Sequence, residues 1–237
     1  YLDLIVNPEV KDIFFKRTKI VNSIRQFLND RNFLEVETPV LQPLYGGANA
    51  RPFTTHHNAL DQTFYLRIAD ELYLKRLIIG GFEKVYEMSK DFRNEGIDRN
   101  HNPEFTMLEW YQAYAEYNQN MDTVESLFKF VSKAMEITSV KWNDVVVDFT
   151  KPFERKPIFE LMNNIFGSDL SMATAEELSK LCKNHGIDIE DGAAYGKLLD
   201  ELMKHIIEPT LKQPTFVTDY PKAISPLAKS SCNLYFT

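Results

Sequence analysis

Between residues 8 and 31, Phe14, Ile20, Val21, Ile24, Phe27 and Leu28 recur at three- and four-residue steps, with Lys16, Lys19 and Arg25 between them. That is the period of a helix with one apolar stripe. Asn29-Asp30-Arg31-Asn32 ends it. Residues 33–38 alternate apolar and polar positions, as a half-buried strand does, and Pro39 suits an edge or a bend because it has no N–H to donate. A loop follows at Tyr45-Gly46-Gly47-Ala48. Residues 62–68 predict a strand, and 70–79 a helix stopped by Gly80-Gly81. Strands at 85–88 and 105–111 flank a polar loop from Arg93 to Pro103, a hairpin whose loop is too long for a simple turn. The helical period returns over 121–135, 159–165, 175–185 and 196–211, and 215–218 predicts a short strand. Nothing repeats, and strands do not alternate with helices in βαβ fashion, so the pattern predicts a mixed α+β fold.

Composition narrows the class. The 237 residues are 44% hydrophobic, 26% charged and 13% aromatic, which is ordinary for a globular protein and enough for one substantial core. Apolar runs such as Leu77-Ile78-Ile79 fall far short of the ~20 residues of a membrane span, and Tyr1-Leu2-Asp3 does not open a secretory signal. The missing initiator Met implies a start inside a longer polypeptide. A net charge of -7 argues against nucleic-acid binding through bulk positive charge. Cys182 and Cys232 have no ligand-type spacing to a His, so neither a zinc site nor a disulfide framework is expected, and a reducing, cytoplasmic setting is the default.

The polar loop gathers Arg93, Glu95, Arg99 and His101 within nine residues. Arginine offers a planar donor fork that fits phosphate or carboxylate, whereas a charged hairpin is more often just a solvated surface. Glu87, Glu104 and Glu109 tilt the balance, because acidic groups in strands of buried type are costly unless paired or used. Glu71, at a helix start, reads first as a dipole-compatible carboxylate. Gly46-Gly47 reads as turn punctuation or as close approach to a ligand. His56 and His57 read as polar residues without metal spacing, and Trp110 and Trp142 as packing. No P-loop, dinucleotide fingerprint or nucleophile elbow occurs.

Residues 33–39, Phe-Leu-Glu-Val-Glu-Thr-Pro, resemble motif 1 of class II aminoacyl-tRNA synthetases, about 20–39 here. Phe92-Arg93-Asn94-Glu95-Gly96 followed by His101-Asn102-Pro103-Glu104-Phe105-Thr106 resembles their motif 2, about 85–111. Tyr1-Leu2-Asp3-Leu4, the stretch from Gly46 to Phe53 and Arg67-Ile68-Ala69-Asp70-Glu71-Leu72 narrow the resemblance to the catalytic domain of the bacterial-type lysyl enzymes, over nearly the whole chain. It implies an antiparallel sheet flanked by helices, spanning 1–237 as one incomplete catalytic domain. It also implies ATP-dependent activation of L-lysine to lysyl-adenylate, then transfer to tRNA(Lys), by a cytoplasmic homodimer assembled through motif 1.

On that resemblance Arg93 is the catalytic residue, bridging the lysine carboxylate and the α-phosphate. Glu95 accepts from the adenine amino group, Phe105 stacks on the ring, and Arg99, His101 and Asn102 lie along phosphates and ribose. Glu109 pairs with the lysine ε-ammonium, Tyr111 lines that pocket, and Glu71 with the Gly47 backbone holds the α-amino group. Asp70 stands where related enzymes often carry proline, a change expected to be harmless. The resemblance places the anticodon-binding barrel before Tyr1, and the magnesium carboxylates and motif 3 after Lys229; none is found in this sequence. No metal ligand is therefore expected within it, and the 237 residues alone are expected to adenylate poorly. Two other readings are an elongation-factor-modifying lysyl-adenylate ligase and a non-catalytic lysine- or ATP-binding piece.

Overall fold

A short helix, α1 (Leu2–Val6), leads through Asn7 into α2 (Pro8–Asn29), whose first-turn proline lacks only an N–H that would have had no partner there. In the computed structural model, which describes residues 1–225 and 228–229, the chain forms two compact units, Tyr1–Glu116 and Tyr117–Thr237.

In the first unit the apolar stripe of α2 is buried at its C-terminal end, at Phe27 and Leu28. The stripe outruns the surface it packs on: Phe14, expected inside, is exposed, and neighbouring Phe15 is 72% exposed. Only Leu34–Glu35 (β1) of the expected strand at 33–38 is ladder-bonded. Val36 N–H still donates to Tyr86 O at 2.9 Å. Thr38 then turns its N–H and hydroxyl to the Glu87 carboxylate, at 3.1 and 2.7 Å, so a side chain replaces the ladder. Strands β2 (Leu41–Gln42), β3 (Thr54–His57) and β4 (Gln62–Leu66) form an antiparallel sheet in the order β2-β4-β3, with His56 and His57 on its exposed edge. Helix α3 (Glu71–Ile79) follows, ending at Gly80.

Strands β5 (Lys84–Phe92) and β6 (Glu104–Gln112) form the predicted hairpin, longer than expected, antiparallel from Lys84↔Gln112 to Phe92↔Glu104. β1 joins β5 in parallel, so this sheet is mixed rather than purely antiparallel. Alternation divides its side chains between two faces. Met88, Thr106 and Leu108 share one face and, with Ile13, Arg17, Ile20 and Ile24 of α2, line a cavity of about 540 Å³. The register puts Glu87, Ser89 and Asp91 on the other face, with Phe105, Glu109 and Tyr111.

The second unit contains α4 (Tyr117–Ala134), β7 (Ser139–Trp142), β8 (Val145–Asp148), β9 (Glu154–Pro157), α5 (Ile158–Phe166), α6 (Ala175–Asn184), α7 (Tyr195–Leu202) and β10 (Thr215–Thr218). Its core packs Ile158, Met162, Leu178, Leu198, Leu202 and Ile207. A reciprocal Thr174–Glu177 capping box starts α6, and Gly167 in the left-handed region ends α5. The single helix expected at 196–211 is instead α7, a π turn at Met203–Ile207 and a 3-10 turn at Glu208–Thr210, because Pro209 has no N–H to continue the ladder. Trp142, expected to pack, sits at the β7–β8 turn and is 68% exposed. Cys182 is buried; Cys232 lies outside the described residues. No described helix is long and apolar enough to cross a membrane. The fold is α+β.

Candidate active site

All ten residues expected at the site lie in the first unit, and the β5–β6 hairpin organises most of them. At its loop end, Arg93, Glu95, Arg99, His101, Asn102 and Phe105 together line a cavity of about 310 Å³. Arg93 N–H donates to Pro103 O at 2.8 Å, extending the hairpin one bond past the ladder and holding the loop mouth closed. The Arg93 guanidinium lies 5.1 Å from the Phe105 ring centroid and reaches Ile68 O at only 3.4 Å, so most of its donors face the cavity. The loop is tied down from one side by Arg51, whose N–H donates to Glu95 Oε1 at 3.3 Å and whose carbonyl accepts from Asn94 N–H at 2.7 Å. Inside the loop, Asp98 accepts the Asn100 and His101 N–H groups at 2.7 and 2.8 Å and holds the His101 ring. The Asn100 N–H bond and the His101 ring together keep its carboxyl below the usual range. The result is a pocket that offers two guanidiniums and one aromatic wall, with its two carboxylates, Glu95 and Asp98, engaged by Arg51 N–H and His101; it suits a nucleotide.

At the other end of the same face, Glu109 Oε2 accepts from the Tyr111 hydroxyl at 3.2 Å and Oε1 from Asp70 N–H at 3.1 Å. Burial, then the negative charges of Glu109 and Glu71, push the Tyr111 phenol up, so it stays a neutral donor. Gly47 approaches from its own loop. Its φ is +88°, and an added Cβ would come within 3.0 Å of Glu71 Cβ and 3.1 Å of Ala69 Cβ, so glycine is required on both counts. Glu71 is ion-paired with Lys75 one helical turn on, at 2.6 Å. This end is acidic, with hydroxyl and backbone groups around it, and suits an organic cation.

Behind Glu109 lies a network that sequence reasoning did not find. Arg67 is 4% exposed, Asp70 and Asp91 are fully buried, and Glu87 is nearly so. Arg67 Nη1 donates to Glu87 at 2.6 Å and to Thr38 O at 3.2 Å; its Nε–H donates to Lys90 O at 2.9 Å. Glu87 thus anchors the end of motif 1 and has a structural role. Glu104, grouped with it on sequence, is exposed and lies 3.6 Å from Lys90. Asp70, which stands where related enzymes often carry proline, is a buried node: its Oδ2 accepts from Ser89 at 2.6 Å. The strand alternation of Glu87, Ser89 and Asp91 was the available signal, since three polar residues on one face of a buried strand need partners. Asp70, Asp91 and Glu109 bring carboxylate oxygens within 4.8 Å of one another, close enough to share a positive charge, and the Arg67 guanidinium already lies against two of them.

Comparison with known proteins gives the family. Residues 1–235 match the family described as tRNA synthetases class II (D, K and N). A lysine–tRNA ligase of Moorella thermoacetica is 53% identical over 231 residues, 97% of this chain and 47% of that protein. One of a Roseiflexus species is 53% identical over 233 residues, again 97% and 47%. One of Porphyromonas gingivalis is 50% identical over 230 residues, 97% of this chain and 40% of that protein. The chain spans about half the length of these curated relatives. On the family match and on this identity across nearly all of its length, the chain belongs to the class II tRNA synthetases of the D, K and N group.

Proposed function

We propose that the protein containing this chain activates L-lysine with ATP and transfers it to tRNA(Lys), and that the described site holds both reactants of the first step. The observation that carries this is the single hairpin face with a cavity lined by Arg93 and Phe105 at one end and a carboxylate, Glu109, at the other. The names of the relatives support lysine among the amino acids of the group. In the first step a lysine carboxylate oxygen attacks the α-phosphorus of ATP, and the bond to the bridging oxygen breaks to release pyrophosphate. Both reactants are anionic, so a guanidinium between them lowers the barrier by neutralising charge without taking a proton.

In this reading Phe105 stacks on adenine, Glu95 accepts from its amino group, and Arg99, His101 and Asn102 contact phosphate and ribose. Glu109 pairs with the ε-ammonium, Tyr111 lines the pocket, and Glu71 with the Gly47 backbone holds the α-amino group. Magnesium, when bound, would neutralise phosphate charge. The carboxylates at the cavity, Glu95 and Asp98, are already engaged by Arg51 N–H and His101, so we assign no magnesium ligand to the cavity lining. The protein setting is read as cytoplasmic, where ATP and tRNA are both met.

Charging of tRNA(Lys), against lysylation of a protein acceptor, tests the acceptor. The relatives' names favour tRNA, and lysylation of protein alone would overturn that choice. We also assign the exposed Ile13 of α2, which lines the cavity under Met88 and Leu108, to a homodimer interface. Ile13→Asp in the full-length protein is expected to shift sedimentation from dimer toward monomer. An unchanged dimer would remove α2 from the interface.

A further inference from the structure

Three buried carboxylates, Asp70, Glu87 and Asp91, face one guanidinium, that of Arg67. Arg67 donates its Nη1 hydrogens to Glu87 and Thr38 and its Nε–H to Lys90 O, so its 3.2 Å approaches to Asp70 Oδ1 and Asp91 Oδ1 are charge contacts. Glu87 has a full partner set; the other two do not. Ser89 Oγ sits 2.6 Å from Asp70 Oδ2 and 3.1 Å from Asp91 Oδ1. A hydroxyl has a single hydrogen, so it can donate to one carboxylate only, and the second contact is a bond only if that carboxyl donates back. Asp70 Oδ1 and Asp91 Oδ2 are buried with no hydrogen-bond partner at all. Two ionised aspartates here would carry uncompensated charge out of reach of solvent.

We propose that Asp70, Ser89 and Asp91 hold one proton between them as a buried carboxyl–hydroxyl–carboxylate bridge behind Glu109, and that lysine binding at Glu109 expels it to solvent. The second half rests on the assignment of Glu109 to the ε-ammonium. The groups facing the bridge are Arg67 before α3, Glu71 on α3, Glu87 on β5, Arg93 at the loop, and Glu109 and Tyr111 on β6. Burial, opposed mainly by the Ser89 bond, pushes Asp70 up to about 7, and burial raises Asp91 also. The proton belongs to the pair rather than to either residue.

The functional consequence follows from charge. A cation docked on Glu109 lies beside carboxylate oxygens gathered within 4.8 Å, and it favours their ionised form. By linkage, if lysine binding releases the proton, lysine affinity rises with pH through neutrality and levels off once the bridge is ionised. Asp70 and Asp91 are thus positioning residues that tune the charge behind the pocket.

Two measurements on the full-length protein test this. Infrared spectra without lysine are expected to contain a protonated-carboxyl stretch that titrates near neutral pH and is lost in Asp91→Asn. Asparagine resembles the neutral acid, so that variant is expected to fold; Ser89→Ala supplies a second variant. Lysine titration calorimetry in buffers of differing ionisation enthalpy is expected to reveal up to one proton released per lysine, abolished in Asp91→Asn. A missing stretch, a stretch untouched by either variant, or a stoichiometric metal ion lost in Asp91→Asn would overturn the bridge. With the stretch present, buffer-independent heat overturns the linkage alone, whereas no lysine binding overturns the Glu109 assignment on which the linkage rests.

Discussion

Replacing Glu109 by Gln in the full-length protein is expected to lower kcat/KM for lysine by on the order of 10²-fold, while the KM for ATP changes by no more than about threefold. Glu109 is partly buried and already holds two donors, Tyr111 hydroxyl and Asp70 N–H. Those donors keep an anion in place for an incoming cation. The amide can still accept one of these bonds but brings no charge, so an ammonium entering the pocket is desolvated without compensation. A buried charge left without its partner costs about 3–5 kcal/mol, reduced here because the site opens to solvent. In the proposed reading ATP engages the far end of the hairpin, at Arg93 and Phe105, which this change leaves intact. Equal losses for lysine and ATP, measured by steady-state pyrophosphate exchange, would contradict the division of the face into two ends.

Arg93→Ala is expected to be the more damaging change, reducing kcat by roughly 10²–10³-fold or more, as removal of a donor to developing charge does. Arg93→Lys is expected to recover little, because an ammonium cannot present two parallel donors to a carboxylate and a phosphate oxygen. The fold should barely notice. The side chain contacts Ile68 O at 3.4 Å and the Phe105 ring at 5.1 Å and fills no core position. A near-unchanged Tm with collapsed kcat is the expected pairing; a kcat within tenfold of the parent would remove Arg93 from the chemistry.

Much of the site was legible because hairpin chemistry is local. Arg93 to Phe105 form one contiguous run between strands of apolar type, so Arg93, Glu95, Arg99 and His101 of the cavity lining could be grouped from the loop alone, and Asn102 and Phe105 were added by the resemblance. Gly47 and Glu71 could be named from the resemblance alone; their contact depends on a loop approaching a helix start. The Arg67–Asp70–Glu87–Asp91 network could not be assembled, since its members come from two segments, 67–70 before α3 and 87–91 on β5, that only the tertiary fold brings together. Motif 1 read as a strand because its pattern alternates, yet Thr38 prefers the Glu87 carboxylate to a ladder partner. The strands β7, β8 and β9 were missed; in β9 the run Glu154-Arg155-Lys156 has no apolar period to detect. Phe14 was misplaced for a different reason. Periodicity finds an apolar stripe but not the length of surface that covers it.

The central claim is that the site activates lysine rather than another amino acid of its family. Pyrophosphate exchange into ATP by the full-length protein, with lysine, aspartate and asparagine each as sole amino acid, tests it most directly. The acidic pocket at Glu109 predicts exchange with lysine and none above background with the other two. Exchange driven by aspartate or asparagine, with lysine inert, would contradict it.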